Sequence, residues 1–429
     1  MAIGPFRSWS WFNRGKTGER VWTPREKRAM MQRRAFREIL RLRISPPFRC
    51  EPYSYSATGT EDARYADVPK PRRRKSERKP YPTPMKVLIR RAKEEKAARK
   101  AEPCRILQPP ENGLLVPELV HVARRVNQAR ESLLDGLSKL AGVVVPVKRC
   151  RYCSEIHIGH VGHEIRTCSG AKNGLRNSTH VWRTGCLADM VCFPYCYHLH
   201  DRVGKPRVGH DERFQVKRLP AILELCIQAG LDHEDYPTRR RTKPVYSIEG
   251  RIVDFEPEME HEDVEGAPQA EDPLLSFQSN SGDQNSCHYE ENSNELSVKT
   301  LESWLEMKSG AELMMKTYSV KTCGYCPEVQ VGPKGHKVRM CKAARHQFRN
   351  GLHAWQEATI DDLIWPNYVW HVRDPHGPTL ANELKRYYGK APAVVELCMQ
   401  AGAPVPDEYQ SMMRLDVVSP DRDEVDLVA

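Results

Sequence analysis

The chain has 429 residues with a formal net charge of +11, and 39% of its residues are hydrophobic. This length is enough for two or three small domains, and the low apolar content indicates that part of the chain does not pack into a core. No run of 18 apolar residues occurs, so we predict no membrane-spanning helix.

The amino-terminal region, residues 1–55, has the composition of a targeting sequence and spacer. Residues 1–49 hold 11 Arg and three Glu, and they lack the apolar segment of a secretory signal. An Arg-rich, acid-poor start is typical of an organelle transit peptide, and the excess of Arg over Ser favours the mitochondrion over the chloroplast. A basic start on a nuclear or cytosolic protein is the alternative. In each of these compartments thiols stay reduced, so paired cysteines favour metal binding over disulfides.

Residues 56–105 form a basic arm that is rich in Pro and Arg. Within it, residues 70–100 carry 14 Lys or Arg against three acids. This density of positive charge favours a polyanionic partner, because each phosphate contact releases counterions. Arg72, Arg73 and Arg74 are therefore candidates for RNA contact, although a solvated basic tail would have the same composition.

Beyond the arm, the chain contains the same unit twice: residues 147–204 align without a gap with residues 320–377. The spacing of apolar residues predicts a lead helix before each copy and a short apolar helix, ended by Gly, after it. The predicted segments are a lead helix at 106–148, copy one at 149–232, an acidic disordered linker at 233–298, a lead helix at 299–321, copy two at 322–404 and a C-terminal tail at 405–429.

Cysteines shared by the two copies define a metal-binding frame. Copy one reads CRYCSEIHIGHVGHEIRTC at 150–168, and copy two reads CGYCPEVQVGPKGHKVRMC at 323–341. Both fit C-x2-C-x9-H-x4-C, and three thiolates with one imidazole are the closed tetrahedral set of structural zinc, whereas iron–sulfur clusters normally take four thiolates. We therefore expect two zinc ions, one per copy. The predicted ligands are Cys150, Cys153, His163 and Cys168 in copy one, and Cys323, Cys326, His336 and Cys341 in copy two.

The identity of the fourth ligand stays open at this stage. Two other histidine pairs are shared by the copies and remain candidates: His180 with His353, and His198 with His371. The H-x4-C spacing favours His163 and His336. Cys226 and Cys398 are also shared, but they lie in apolar helices and are predicted to be packed core thiols.

Further residues shared by the copies are candidates for RNA contact, because Arg binds phosphates and aromatic rings stack on unpaired bases. These candidates are Arg166, Arg176 and Trp182 in copy one, and Arg339, Arg349 and Trp355 in copy two. For the two Trp residues, a place in the core of a small domain is the alternative. The shared His and Asp residues do not outweigh the closed zinc set, so we predict that the protein is not an enzyme.

These motifs resemble those of the plant APO family, named for accumulation of photosystem one. The resemblance covers residues 110–235 and 300–429, and the segments KSERKPYPTPMK and VYSIEGRIVDFE are most similar to the mitochondrial member of the family. The motifs that carry it are the two zinc frames, the H-x-W after each frame, NGLLVPELV, ELCIQAG, ELCMQAG and MMRLDVV.

The resemblance implies an organelle protein with two zinc-binding, RNA-binding domains that assists splicing of group II introns. The expected partners are intron-containing organelle transcripts, in the mitochondrion or alternatively the chloroplast, and other splicing factors in a ribonucleoprotein. No membrane and no small-molecule substrate are expected. The alternative function is a zinc-scaffolded protein–protein adaptor within an organelle ribonucleoprotein.

For the fold, we expect an α+β protein with two copies of a small zinc-stapled domain. Each copy should have a helix before and after its zinc site, and a disordered acidic linker should join the copies. Because each copy carries its own frame, we also expect two separate sites, such that Cys341→Ala unfolds copy two and leaves copy one folded.

Overall fold

The computed structural model describes residues 85–101, 104–256, 289–343, 347 and 350–427. These residues form a mixed helix-and-sheet protein. The predicted targeting sequence and spacer at 1–55, and Arg72, Arg73 and Arg74 of the basic arm, lie outside the described residues. None of the described helices is long and apolar enough to cross a membrane.

The first half of the chain contains four helices and eight strands within the described residues. The helices are α1 (Met85–Ala101), α2 (Pro117–Leu140), α3 (Leu187–Met190) and α4 (Ala221–Ala229). The strands are β1 (Cys104–Ile106), β2 (Val147–Cys150), β3 (Ile156–Ile158), β4 (Trp182–Thr184), β5 (Tyr195–Tyr197), β6 (Arg218–Pro220), β7 (Tyr246–Ile248) and β8 (Arg251–Val253).

The second half repeats most of this order. Its helices are α5 (Tyr289–Met315), α6 (Ile360–Ile364), α7 (Ala393–Gln400) and α8 (Asp407–Met413). Its strands are β9 (Val320–Cys323), β10 (Val329–Val331), β11 (Trp355–Glu357), β12 (Tyr368–Trp370) and β13 (Lys390–Pro392).

Each copy is built from the same two antiparallel sheets. In copy one, β3, β2 and β4 form a three-stranded sheet with β2 in the centre, and β5 pairs with β6. In copy two, β10, β9 and β11 form the matching sheet, and β12 pairs with β13. The metal-binding frame begins at the end of the central strand in both copies, so the three-stranded sheet positions the site.

The lead helices α2 and α5 pack against each other along small residues. Pro117 lies in the first turn of α2, and the apolar residues of that helix lie on one buried stripe. A Cβ at Gly136 of α2 would clash with Thr300 of α5, and a Cβ at Gly310 of α5 would clash with Val126 of α2. Glycine at both positions lets the two helix backbones approach closely.

Beyond the lead helices, each copy covers the metal-binding frame of the other. The Glu164 N–H of frame one donates to Leu380 O of copy two at 3.0 Å, and the Lys337 N–H of frame two donates to Val208 O of copy one at 2.9 Å. A single hydrophobic core cluster draws on buried residues of both copies. The described parts of both copies therefore belong to one compact unit rather than to two units separated by the linker.

Two ion pairs repeat this exchange between the copies. Arg218 Nη2 of copy one lies 2.9 Å from Glu328 Oε1 of copy two, and Lys390 Nζ of copy two lies 3.7 Å from Glu155 Oε1 of copy one. Both glutamates are shared positions of the metal-binding frame. The exchange of equivalent contacts in both directions relates the two copies by an approximate twofold symmetry.

The predicted linker at 233–298 is ordered at both ends. Strands β7 and β8 form a hairpin whose turn residues, Glu249 and Gly250, both have positive φ, and β7 pairs with β1. The last helix before copy two, α5, begins at Tyr289, inside the predicted linker. The prediction is therefore wrong for residues 233–256 and 289–298, and residues 257–288 lie outside the described part of the chain.

Charge pairing explains why the acidic composition was misleading here. The Arg241 side chain is buried and places its guanidinium between two carboxylates, 2.6 Å from Asp201 Oδ2 and 2.6 Å from Asp254 Oδ2. A buried Arg needs such hydrogen-bonded partners. Asp254, an acidic residue of the predicted linker, is thus a structural partner of Arg241 rather than part of a solvated segment.

Candidate metal centres

In copy one, four ligand atoms converge at the end of the three-stranded sheet. Cys150 is the last residue of β2, Cys153 lies in the turn after it, and His180 lies just before β4. Together with Cys168, they bring one ligand atom each within 4.8 Å of one another. Cys150 Sγ is 3.9 Å from Cys168 Sγ, and Cys153 Sγ is 3.5 Å from His180 Nδ1.

Copy two assembles the equivalent group. Cys323, Cys326, Cys341 and His353 again place one ligand atom each within 4.8 Å of one another. Cys326 Sγ lies 3.2 Å from His353 Nδ1, and the main-chain N–H groups around the turn face the cysteine sulfurs as in copy one. The two groups are thus the same site, built twice by the same fold.

This geometry fits a metal ion held by three thiolates and one imidazole. Ligand atoms bound about 2.0–2.3 Å from one ion lie roughly 3.3–3.8 Å apart in a tetrahedron, which is close to the separations here. All four positions of a tetrahedral ion would be filled by protein. The donor set is the one that structural zinc sites use.

The environment of the first cysteine in each site favours the thiolate, which is the form that binds metal. Burial raises the pKa of Cys150, but the Tyr152 N–H and the His180 ring outweigh it and hold that pKa at about 6. In copy two, the Cys326 side chain is the largest cause of a pKa of about 3 for Cys323.

His163 and His336, the predicted fourth ligands, lie beside these groups and do not belong to them. His336 Nδ1 accepts a hydrogen bond from the Val338 N–H at 3.1 Å, and its Nε2 lies 3.2 Å from Glu328 Oε1, so both ring nitrogens are used. His163 is buried with its ring centroid 4.9 Å from that of His180. The H-x4-C spacing was misleading because the next shared histidine, before β4, is the one that the sheet brings to the cysteines.

The second nitrogen of the His180 ring has a partner that sets the orientation of the ligand. His180 Nε2 lies 3.1 Å from Thr167 Oγ1, while Nδ1 faces the sulfur of Cys153. A hydrogen bond at the non-ligating nitrogen fixes the tautomer that metal binding requires. Copy two has Met340 at the position of Thr167, and His353 Nε2 has no hydrogen-bond partner in the described part of the chain.

The remaining shared histidines each pair with a buried glutamate that sequence reasoning missed. His198 Nδ1 lies 2.7 Å from Glu224 Oε2, and His371 Nδ1 lies 2.8 Å from Glu396 Oε2. Both glutamates are completely buried in α4 and α7. The signal was present, because a charged residue stands at the same place in ELCIQAG and ELCMQAG, two otherwise apolar helices.

Comparison with known proteins places this architecture in one family. The profile described as APO RNA-binding matches residues 54–254 and 293–420, which include both metal centres. The chain belongs to the APO RNA-binding family. No solved structure matches it.

Three named relatives support the same assignment. The chain is 62% identical over 377 residues to APO protein 3, mitochondrial, of Arabidopsis thaliana, covering 87% of this chain and 92% of the relative. It is 45% identical to APO protein 2, chloroplastic, over 82% of this chain and 79% of the relative. It is 41% identical to APO protein 1, chloroplastic, over 83% and 81%. All three relatives are from the same plant.

In this APO protein, the predicted RNA contact Arg176 lies against the candidate metal centre. Its guanidinium Nη2 lies 3.6 Å from Cys168 Sγ, and Nη1 donates to Ala171 O at 2.9 Å. The guanidinium also lies over the Tyr152 ring, 3.8 Å from its centroid. Three thiolates and a divalent ion leave one negative charge, and Arg176 is placed to offset it. Its counterpart Arg349 lies outside the described residues.

The two predicted stacking residues, Trp182 and Trp355, pack inside the sites. A Cβ at Gly162 would clash with the Trp182 ring, and one at Gly335 would clash with the Trp355 ring. The Trp182 ring also stacks on His180 with centroids 5.0 Å apart. Both rings are half-buried and pack against the histidines of the Cys3His groups.

Of the predicted RNA contacts that the structure describes, Arg166 and Arg339 keep exposed side chains. They stand at the same point of the two frames, between the glycines and the last cysteine. Their backbones are anchored by the opposite copy: the Arg166 N–H donates to Asn382 Oδ1 at 3.0 Å, and the Arg339 N–H to His210 Nδ1 at 3.2 Å.

The shared aspartates have structural partners as well. Asp189 Oδ2 accepts the Cys186 N–H at 3.0 Å, and Asp362 Oδ2 accepts the Thr359 N–H at 3.0 Å, so each carboxylate caps the start of a short helix. Asp201 pairs with Arg241 in the hairpin network. These contacts do not assemble the shared His and Asp residues into one site.

Proposed function

We propose that this protein is an RNA-binding zinc protein that promotes splicing of group II introns in mitochondrial transcripts. The observation that carries the proposal is the pair of Cys3His groups inside the two ranges that match the APO RNA-binding family. Zinc would be held by Cys150, Cys153, Cys168 and His180 in copy one, and by Cys323, Cys326, Cys341 and His353 in copy two. When bound, the ions would supply folding energy and fix the loops between the ligands.

The proposed role in splicing is structural rather than catalytic. Four protein ligands leave no coordination position for a substrate or a water, so the metal would not take part in chemistry. Group II introns carry their own catalytic fold, and a protein assists by holding RNA segments in place. The protein would act in this way with other splicing factors of a ribonucleoprotein.

The mitochondrion is proposed as the location. The relative with 62% identity is named mitochondrial, whereas the relatives with 45% and 41% identity are named chloroplastic. The Arg-rich, acid-poor composition of residues 1–49 agrees with an organelle transit peptide.

A second candidate function is a protein–protein adaptor in the same ribonucleoprotein. Large apolar side chains at the surface favour it: Leu175 is 86% exposed and Phe214 is 82% exposed. Aromatic residues such as Phe are enriched at protein interfaces relative to the rest of the surface. An adaptor would join the ribonucleoprotein without contacting RNA itself.

The test is crosslinking in the organelle followed by purification of the tagged protein under denaturing conditions. Covalently bound group II intron RNA, together with reduced splicing of the same introns in plants that lack the protein, supports the proposal. A matched rescue uses Cys326→Ala and, as the control, Cys104→Ala, which removes an exposed cysteine outside both metal groups. Crosslinks to proteins alone, with splicing still dependent on the chain, would favour the adaptor.

A further inference from the structure

The two metal centres differ in charge on one face of the three-stranded sheet. In copy one, Arg149 of β2 stands directly opposite Arg183 of β4, and the Arg151 N–H extends the same ladder to Val181 O at 2.8 Å. The matching residues of copy two are Thr322, Gln356 and Gly324, none of which is charged. Copy two forms the same ladder with no arginine, so the fold itself does not require arginine at these positions.

The arginines of copy one are poorly compensated. Like charges directly opposite each other in an antiparallel ladder are destabilising, by up to about 1 kcal/mol relative to a neutral pair. Arg149 has an ion pair with Asp189 at 2.7 Å. Arg151 and Arg183 are exposed, and no acidic side chain of the described residues lies within ion-pair distance of either.

The next position along the same strands points to the opposite face of the sheet, and its charges also differ between the copies. Lys148 of copy one stands opposite Thr184, whereas Lys321 of copy two stands opposite Glu357 and forms an ion pair with it. Copy two thus neutralises its strand lysine, and copy one places no acid opposite Lys148 on β4. Tyr152 is 42% exposed, and its ring lies between Arg151, 6.0 Å from the centroid, and Arg176, 3.8 Å from it.

We propose that the β2–β4 face of copy one, through Arg151 and Arg183, contacts the RNA backbone, and that the matching face of copy two does not. Exposed guanidinium groups bind the phosphates of a single strand, because their donors match phosphate geometry. β4 is the edge of its sheet, so a strand of RNA reaches these side chains without displacing another element. This inference rests on the proposed RNA-binding function and assigns that function to one surface.

The test compares salt-dependent RNA affinity of the full chain with that of two double variants. Arg151→Gln/Arg183→Gln removes the two unpaired charges and places at Arg183 the residue that copy two uses. The control, Lys299→Gln/Lys316→Gln, removes the same charge from two exposed positions, one within α5 and one directly after it. The probe is a short fluorescein-labelled oligouridylate, and zinc content and circular dichroism are measured on each sample.

Each phosphate contact to a single strand contributes about 0.7 to the slope of log affinity against log salt. Loss of two contacts lowers the slope by about 1.4, which corresponds to roughly 25-fold weaker binding at about 0.1 M salt. The control is expected to lose less than about threefold, because its charges lie away from the proposed face.

Equal losses in the two double variants would overturn the proposal, because net charge alone would then explain binding. Unchanged or tighter binding by Arg151→Gln/Arg183→Gln would also overturn it. If the wild-type chain with its zinc intact does not bind the probe at low salt, the proposed RNA-binding function itself fails. The separate results for wild type and variant therefore distinguish the two failures.

Discussion

Gln228 lies in α4, the closing helix of copy one. Its side-chain amide donates to the backbone carbonyl of Val331, in the three-stranded sheet of copy two, at 3.2 Å. Gln400 returns the equivalent bond to Ile158 of copy one at 3.0 Å. Both glutamines also bond the buried glutamate one turn earlier in their own helix. Each metal-site sheet is thus held by the closing helix of the other copy, and the stability of the two centres should be coupled.

Loss of one metal centre is expected to loosen both copies. We predict that Cys341→Ala, which removes a ligand in copy two, accelerates amide hydrogen exchange in α4 of copy one as well as in α7. The reason is that copy two contributes the Val331 carbonyl and Glu328, which hold copy one through Gln228 and Arg218. The measurement is hydrogen exchange followed by mass spectrometry.

The control for this experiment is Cys104→Ala, at an exposed cysteine of β1 that belongs to neither metal group. It should leave exchange in α4 unchanged. Faster exchange restricted to copy two in the Cys341→Ala protein would show that the copies are independent.

Substitution of histidines separates the true fourth ligand from its neighbour. We predict that His180→Ala lowers the metal content by one ion per chain, because His180 Nδ1 faces the sulfur of Cys153. His163→Gln should retain two ions, since His163 is not among the four converging ligands. Native mass spectrometry measures both. Two ions in His180→Ala and one in His163→Gln would reverse the assignment.

Arg176 is expected to tune metal affinity rather than RNA affinity. We predict that Arg176→Ala weakens metal binding in copy one by about 10-fold or more, because it removes the cation beside the Cys168 sulfur. Competition with a coloured chelator measures the affinity. Arg166→Ala, at an exposed arginine of the same frame, is the control and should bind metal as the wild type does. A fall in the salt slope of RNA binding with unchanged metal affinity would contradict this role.

The buried His198–Glu224 pair gives a pH-dependent contribution to stability. Burial lowers the pKa of His198, but the hydrogen bond and charge of Glu224 outweigh it and raise that pKa above its ordinary value. The raised folded pKa means that the ionic contribution is fully present below the unfolded pKa of about 6.5 and is lost as the pH rises through the folded value. Glu224→Gln should therefore cost about 3 kcal/mol of unfolding free energy at about pH 6, and less at about pH 9.

Urea unfolding at the two pH values measures this difference. Glu234→Gln, at an exposed glutamate in the loop after α4, is the control and should have no comparable effect. An equal cost for Glu224→Gln at both pH values would show that the pair contributes only a neutral hydrogen bond.

The sequence was sufficient for the features that are local in the chain. The cysteine frames, the lead helix with Pro117 in its first turn and the closing helices follow from spacing over a few turns, and duplication identified which cysteines are common. The same duplication contains Glu224 and Glu396, but their pairing with His198 and His371 spans 26 and 25 residues and leaves no local pattern.

Features that depend on distant contacts could not be read from the sequence. The choice of His180 over His163 depends on how β4 pairs with β2, which places Trp182 beside Cys150 and brings the preceding histidine to the sulfurs. The exchange of contacts between copies leaves no periodic pattern, since it rests on single residues such as Gln228. The sequence did not indicate the hairpin at 246–253, because Arg241 and its partner Asp201 lie far apart in the chain.

The central claim, that two zinc-built centres support RNA binding, is tested most directly by one measurement on the purified full chain. Zinc content and affinity for single-stranded intron RNA are determined on the same sample at two salt concentrations, with and without chelator. We predict two zinc ions per chain and RNA binding that weakens with salt and is lost with the metal. Two zinc ions without RNA affinity at low salt, or RNA binding that is indifferent to metal removal, would contradict the account.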